Sequence, residues 1–174
     1  MKVRNMALCA LFAALLALCA WISIPLGDVA ITMQTFALFL TLGVLGGKRG
    51  SITVGIYLLL GIVGLPVFSG FQGGLGALLG ATGGYIVGFL ATALGYWLVT
   101  TLGGDNLLFR LLGMGFGLAA CYLLGTLWFR FGYLPAGSLG FGAVLLKCVV
   151  PYLVPDGAKL ILAWLLSSRL RQFV

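Results

Sequence analysis

The sequence contains no histidine and no glutamate, and its only acids are Asp28, Asp105 and Asp156. Charged side chains make up 7% of the 174 residues, against roughly 25% in an ordinary globular domain. Without imidazole or Glu there is no His-rich metal site and no Glu general acid, and three scattered aspartates do not form a metal cluster. No metal ligand, cofactor or catalytic residue is therefore expected, and the chain does not read as an enzyme. Cysteine is sparse as well: Cys9, Cys19, Cys121 and Cys148 lie in apolar stretches without CxxC spacing and read as buried packing. Gly47-Lys48 lacks a phosphate loop's first glycine, Leu42 standing in its place, and Arg49 occupies the Ser/Thr position. Nothing in the sequence can hydrolyse a nucleotide. Asp156-Gly157-Ala158 lacks the further paired aspartates of a membrane phosphotransferase.

What is abundant is apolar: 62% of the side chains, with a mean hydropathy of +1.21. So little charge cannot coat a water-facing surface, and the solvent must be lipid. At about 20 residues per span, six helices use roughly 120 residues, which leaves short loops and no soluble domain. The expectation is an all-α integral membrane protein, a six-helix transmembrane bundle forming one domain over 1–174. The spans are read at 3–24, 33–44, 51–63, 80–101, 107–129 and 156–170. Arg130 to Pro155, with its Gly-rich turns and an apolar piece over 141–150, resists placement. A Gly- and Pro-rich but apolar loop, Gly64 to Gly74, joins the third and fourth helices and is read as folded back against the bundle on the outer side. The basic N-terminus followed by an apolar run resembles a signal peptide, but further apolar segments follow at once, so a retained first helix is expected. With both termini inside, Lys2, Arg4, Lys48, Arg49, Arg110, Arg169 and Arg171 fall on the cytoplasmic side. Arg130, Lys147 and Lys159 fall outside, a split that obeys the positive-inside bias.

The candidate site rests on Asp156 and Lys159, three residues apart on one helix face, with Pro155 favouring helix initiation just before them. Charge inside a membrane is costly. The bland reading is an interfacial salt bridge or a snorkelling lysine. The functional one is a ligand site, in which a lysine attracts a carboxylate and an aspartate accepts N–H bonds from a polar ring. Gln34, Gln72 and Tyr85 lie toward the same outer side. Phe68, Phe71 and Trp21 either wall an apolar cavity or anchor in the bilayer, and Phe109, Trp128 and Phe129 read as interfacial belt residues. Ala10 with Ala14, and Ala13 with Ala17, place small residues at helical spacing where another helix can approach closely.

Taken in order, Ala13-Ala14-Leu15-Leu16-Ala17, Thr32-Met33-Gln34-Thr35-Phe36, Gly47-Lys48-Arg49-Gly50, Tyr57-Leu58-Leu59-Leu60-Gly61, Gly64-Leu65-Pro66-Val67-Phe68, Gly80-Ala81-Thr82-Gly83-Gly84-Tyr85 and Asp156-x-x-Lys159 resemble the BioY family. These are biotin-specific S components of energy-coupling factor (ECF) transporters. The family commonly has Pro where this chain has Ala81, and often places a residue between Pro and Asp, whereas Pro155 directly precedes Asp156. The resemblance implies a multi-pass protein of the cell membrane that captures biotin from outside for vitamin uptake. It implies docking through the small-residue face of Ala10, Ala13, Ala14 and Ala17 on a coupling transmembrane subunit that works with two cytoplasmic ATPases. Biotin would sit under the Gly64–Gly74 loop as a lid. Asp156 would accept a ureido N–H, and Lys159 would pair with the carboxylate or polarise the ureido carbonyl. Gln34, Gln72 and Tyr85 would add neutral hydrogen bonds, and Phe68 apolar contact. The rival readings are an S component for thiamine or a flavin, a lipid-acting membrane transferase, and a channel or purely structural helix bundle.

Overall fold

A computed structural model describes residues 3–25, 27, 29–104, 106–135 and 139–173. Lys2, assigned above to the inner side, and the acids Asp28 and Asp105 lie outside the described residues. The chain is mostly helical. The first helix, α1, spans Val3–Trp21, ending three residues before the expected limit. A two-stranded antiparallel hairpin follows: β1 (Ser23–Ile24) pairs with β2 (Ile31–Thr32), Ser23 opposite Thr32. Helix α2 covers Gln34–Ile62 and merges the two helices expected at 33–44 and 51–63. They meet at Gly46, whose φ of 77° and ψ of 174° break the helix two residues before Lys48 and Arg49. After a short irregular segment come α3 (Leu75–Leu79), α4 (Gly83–Gly103) and α5 (Leu107–Trp128). A π-helical turn over Phe129–Tyr133 extends α5.

The segment that resisted placement from sequence is helical where it is described. Helix α6 spans Phe141–Cys148 and α7 spans Val150–Leu170, meeting at a 44° bend. The last helix therefore starts at Val150, six residues before the expected Asp156. Pro151 fills the proline-tolerant first turn, and Pro155 lies inside the helix. Helices α1 and α4, and α5 together with its π-helical turn (Leu107–Tyr133), are long and apolar enough to cross a bilayer, and the bent α6–α7 pair counts as a fourth such crossing if taken as one.

The bundle has two distinguishable ends. At one end, the α2 break carrying Lys48 and Arg49 meets the end of α7, where Arg171 Nε donates to the Gly43 carbonyl at 2.6 Å. Gly47 packs there against the backbone of Trp97, late in α4. At the other end lie the hairpin, the starts of α2 and α4, and the end of α5.

Helices α4 and α5 pack backbone to backbone because glycine alternates across their seam. A Cβ on Gly88 would lie 2.8 Å from Cys121 Sγ and 3.0 Å from Cys121 Cα, and one on Gly117 would lie 2.8 Å from the Thr92 carbonyl. Gly125 accommodates the ring of Tyr85, at 2.2 Å from any added Cβ. In lipid, where apolar side chains gain little by leaving their solvent, such close approach is a main source of helix association. Thr92 Oγ1 adds a bond across the seam to the Gly117 carbonyl, at 2.9 Å. Overpacking this seam costs roughly 1–3 kcal/mol. Gly88→Leu is expected to lower the thermal midpoint of the detergent-solubilised protein. Gly115→Leu, where an added Cβ meets nothing within 4 Å, is expected to leave it unchanged or raised. Equal midpoints for the two variants would rule out the glycine seam as a stabilising contact.

Candidate functional site

The end bearing the hairpin encloses a cleft whose empty space totals about 700 Å³ with its open mouth included. Its walls come from six places in the chain: Val29 to Thr32 before α2, Gln34 and Thr35 in its first turn, Phe68 to Gln72, Thr82 to Phe89, Leu118 to Tyr122, and Cys148 to Asp156. Most of the lining is apolar or aromatic, with a few polar groups converging on it, the ordinary character of a small-molecule site.

Asp156 is the acid of that wall, 4% exposed. Its Oδ1 accepts from Lys159 Nζ at 2.8 Å and from Thr35 Oγ1 at 2.9 Å, and its Oδ2 accepts from Tyr122 OH at 2.7 Å. Three helices thus converge on one carboxylate. An ionised carboxylate offers about four acceptor positions, so Oδ2 keeps capacity beyond Tyr122. Lys159, 9% exposed, donates also to the Thr32 carbonyl at 2.7 Å. It stands behind Asp156 and is not among the cleft-lining residues. The two charges therefore hold each other, and only the carboxylate reaches the cleft. The pair is a buried salt bridge at 2.8 Å, as the bland reading has it, and Lys159 is turned inward and does not snorkel.

Gln34, 5% exposed, lines the cleft. Its Nε2 donates to Tyr57 OH at 2.7 Å, its Oε1 accepts from Thr32 Oγ1 at 2.9 Å, and Tyr57 OH passes a bond on to the Val67 carbonyl at 3.0 Å. This relay ties the first turn of α2 to the segment over 64–74. That segment turns back on itself: Phe68 and Gln72 pair across it, and Gly74 N–H donates to the Gly61 carbonyl at 2.7 Å. Phe68 is 1% exposed and meets Tyr57 edge-on at 5.6 Å between centroids. Gly61 leaves the room for it, since a Cβ there would lie 2.0 Å from Phe68 Cζ. Gln72 lines the cleft from its exposed rim. Tyr85 is buried in the wall, not at a lipid interface, and donates to the Cys148 carbonyl at 3.3 Å.

Asp156, Gln34, Gln72, Tyr85 and Phe68 are brought together, and Lys159 backs them. Phe71 and Trp21 stand outside the cleft: their rings stack at 4.9 Å, and Trp21 Nε1 donates to the Pro66 carbonyl at 2.8 Å, clasping the segment from without. Phe129, read as a belt residue, is fully buried instead. All four cysteines are buried, and Cys121 and Cys148 line the cleft. The alanine stripe of α1 is divided: Ala10 and Ala14 are exposed, whereas Ala13 and Ala17 are turned into the core. Sequence reading missed Tyr122, Thr35, Tyr57 and Tyr152. Tyr152 OH donates to the Val29 carbonyl and so pins the hairpin to α7. The available signal was a scarcity of polar groups: a tyrosine or threonine deep in an apolar helix needs a partner.

The sequence model of the BioY family matches residues 1–174. A probable biotin transporter BioY of Pyrococcus horikoshii is 38% identical over 172 residues, 98% of each chain. The biotin transporter BioY of Thermotoga maritima is 38% identical over 173 residues, 98% of this chain and 97% of its own. A crystal structure of the S-component for biotin from an ECF-type ABC transporter superposes with a TM-score of 0.85 at 28% identity, over 98% of this chain and 92% of that one.

The Asp156–Lys159 geometry predicts a non-additive stability pattern. Removing one member of a buried ion pair costs about 3–5 kcal/mol, because it strands the other charge. Lys159→Met is expected to lower the unfolding midpoint in detergent sharply, and Asp156→Asn added to it is expected to restore more than half of the loss. Additive losses would show that the two charges do not act as a pair.

Proposed function

The chain belongs to the BioY family, and from that premise we propose that it captures biotin at the membrane for uptake, as the substrate-binding S component of an ECF-type transporter. It is a membrane transport protein and not an enzyme. The observation that carries the site assignment is the buried Asp156 carboxylate, presented to a mostly apolar cleft by Lys159, Thr35 and Tyr122. Biotin joins a polar ureido ring to an apolar thioether ring and aliphatic tail ending in a carboxylate. A fixed carboxylate acceptor amid apolar walls suits the ring end of such a molecule.

In this reading Asp156 accepts a ureido N–H through its remaining lone pair. Gln34 uses the amide N–H not given to Tyr57 for the ureido carbonyl, and Tyr85 lies beside it. Phe68, Phe89 and Leu118 take the apolar ring and tail, and Gln72 at the rim meets the carboxylate end. Lys159 fixes Asp156 and the Thr32 carbonyl; its geometry favours this over direct contact with the biotin carboxylate. The segment Gly64–Gly74 acts as the lid, its backbone at positive φ at Gly64, Gly70 and Gly74, where glycine moves most freely.

Reading α2 as two crossings and the α6–α7 pair as one gives six passes. The end carrying Lys48, Arg49 and Arg171 then faces the cytoplasm with both termini, by the positive-inside bias, and the cleft opens outward. Energy comes from partners: a coupling transmembrane subunit and two cytoplasmic ATPases, docked on the exposed small residues Ala10 and Ala14 of α1. The similarity to biotin transporters does not favour the competing expectation, an S component for thiamine or a flavin.

Mass spectrometry of small molecules released from the purified, denatured protein is expected to find biotin, and recovery of thiamine or a flavin in its place would overturn the substrate assignment. Gln34→Leu, and Asp156→Asn in the Lys159→Met background, are each expected to weaken radiolabelled biotin binding by about tenfold to a hundredfold, the loss of one buried bond. Wild-type affinity in both would dismiss the cleft. On α1, Ala10→Leu with Ala14→Leu is expected to spare biotin binding while reducing co-purification of the coupling subunit. Undiminished co-purification would exclude this face.

A further inference from the structure

A second concavity lies on the outside of the bundle at the cleft end. It runs between α3, the start of α4 and the end of α5, with about 1330 Å³ of space counting its open side. Leu75, Leu79, Val87, Leu127, Trp128 and Phe131 form most of its surface. Leu75, Leu79 and Phe131 are 63%, 66% and 72% exposed, so the groove is open to whatever surrounds the bundle. It exists because α3 stands away from α5 and touches it through a polar strut, Trp128 Nε1 donating to the Gly80 carbonyl at 3.0 Å.

The groove has a charged rim. The Arg130 guanidinium lies 5.2 Å from the ring centroid of Phe131, one of the lining residues. Among the described residues, the single acid is Asp156, already bonded to Lys159, Thr35 and Tyr122. The full sequence sets ten basic residues against three acids, a formal net charge of +7 that favours anionic ligands. Trp128 lines the groove beside this rim and is a residue type that settles at headgroup depth.

We propose that this groove is a binding site for an anionic phospholipid, with an acyl chain lying along Leu75, Val87 and Phe131 and the phosphate on Arg130. Charge complementarity selects the headgroup: a zwitterionic lipid offers the same chain but carries its own cation beside the phosphate. The apolar walls select a lipid over free phosphate. The site is separate from the cleft and does not depend on which vitamin the cleft holds. Trp128 adjoins both regions, since its strut to Gly80 precedes Thr82 and Tyr85 of the cleft wall. The bound lipid thereby braces the turn that positions them.

Native mass spectrometry of the detergent-solubilised protein, titrated with dioleoyl phosphatidylglycerol or dioleoyl phosphatidylcholine, tests the proposal. Wild type is expected to hold phosphatidylglycerol roughly fivefold more strongly, the preference expected of one cation facing an anionic lipid. Arg130→Gln is expected to lose the preference, Arg130→Lys to keep it, and Val87→Trp, which fills the groove, to lose the adduct with both lipids. Equal binding of the two lipids by wild type, or a preference that survives Arg130→Gln or Val87→Trp, would overturn it. So would uptake of inorganic phosphate alone with the same dependence on Arg130, which would make the groove irrelevant.

Discussion

One buried carboxylate organises the cleft end of this protein. A charge in a bilayer-embedded bundle costs several kcal/mol unless it is met by an opposite charge and by donors, so Asp156 must collect partners. It does so from α7 itself through Lys159, from α2 through Thr35 and from α5 through Tyr122. Lys159 in turn needs an acceptor on its other side and takes the Thr32 carbonyl of β2. Meeting one electrostatic requirement thereby links three helices and a hairpin, and leaves a carboxylate oxygen turned toward the cleft with a lone pair in hand.

The precision of that arrangement depends on a rigid neighbour. Tyr122 reaches Asp156 from α5, and Tyr85 reaches the Cys148 carbonyl from α4. Both hydroxyls are placed by the glycine seam, which brings the two backbones together and removes the slack that longer side chains would allow. Thr92 illustrates the economy of a lipid-embedded interface. Its hydroxyl bonds the Gly88 carbonyl of its own helix at 3.0 Å and the Gly117 carbonyl of the next at 2.9 Å, so no polar atom is left for the bilayer to reject.

The class of protein was legible from composition alone, because 7% charge cannot solvate a surface in water. The helices were legible where apolar runs end at Gly or Pro, as at α4 and α5. The hairpin was not, since two residues per strand carry no period-2 signal, and neither was α6, where glycine-rich flanks outweighed a short, mostly apolar helix of eight residues. At the site, Asp156, Gln34 and Tyr85 stood out as polar residues in apolar surroundings. What the sequence could not convey was direction. Spacing of three put Asp156 and Lys159 on one face, but only the fold turns the lysine to the Thr32 carbonyl behind the wall. In the same way, Ala10 and Ala13 share the small-residue pattern of α1, and only packing against α2 decides that the first is exposed and the second buried.

The position of the cleft also bears on how a bound molecule moves inward. Beneath it the bundle is filled by Phe39, Leu42, Tyr96 and Met114, all fully buried, down to the end where Arg171 is bonded to Gly43. A side-chain gate through that core would have to displace large rings from a close-packed interior, where packing resists small adjustments. The α4–α5 seam leaves those two helices little freedom to separate, because their contact is backbone against backbone. A static pore is therefore a poor description of this fold. In the proposed function, with no nucleotide-binding loop in the sequence, inward release draws on work applied from outside to the bundle as a body. In the proposed assembly that work falls to the partners docked on α1.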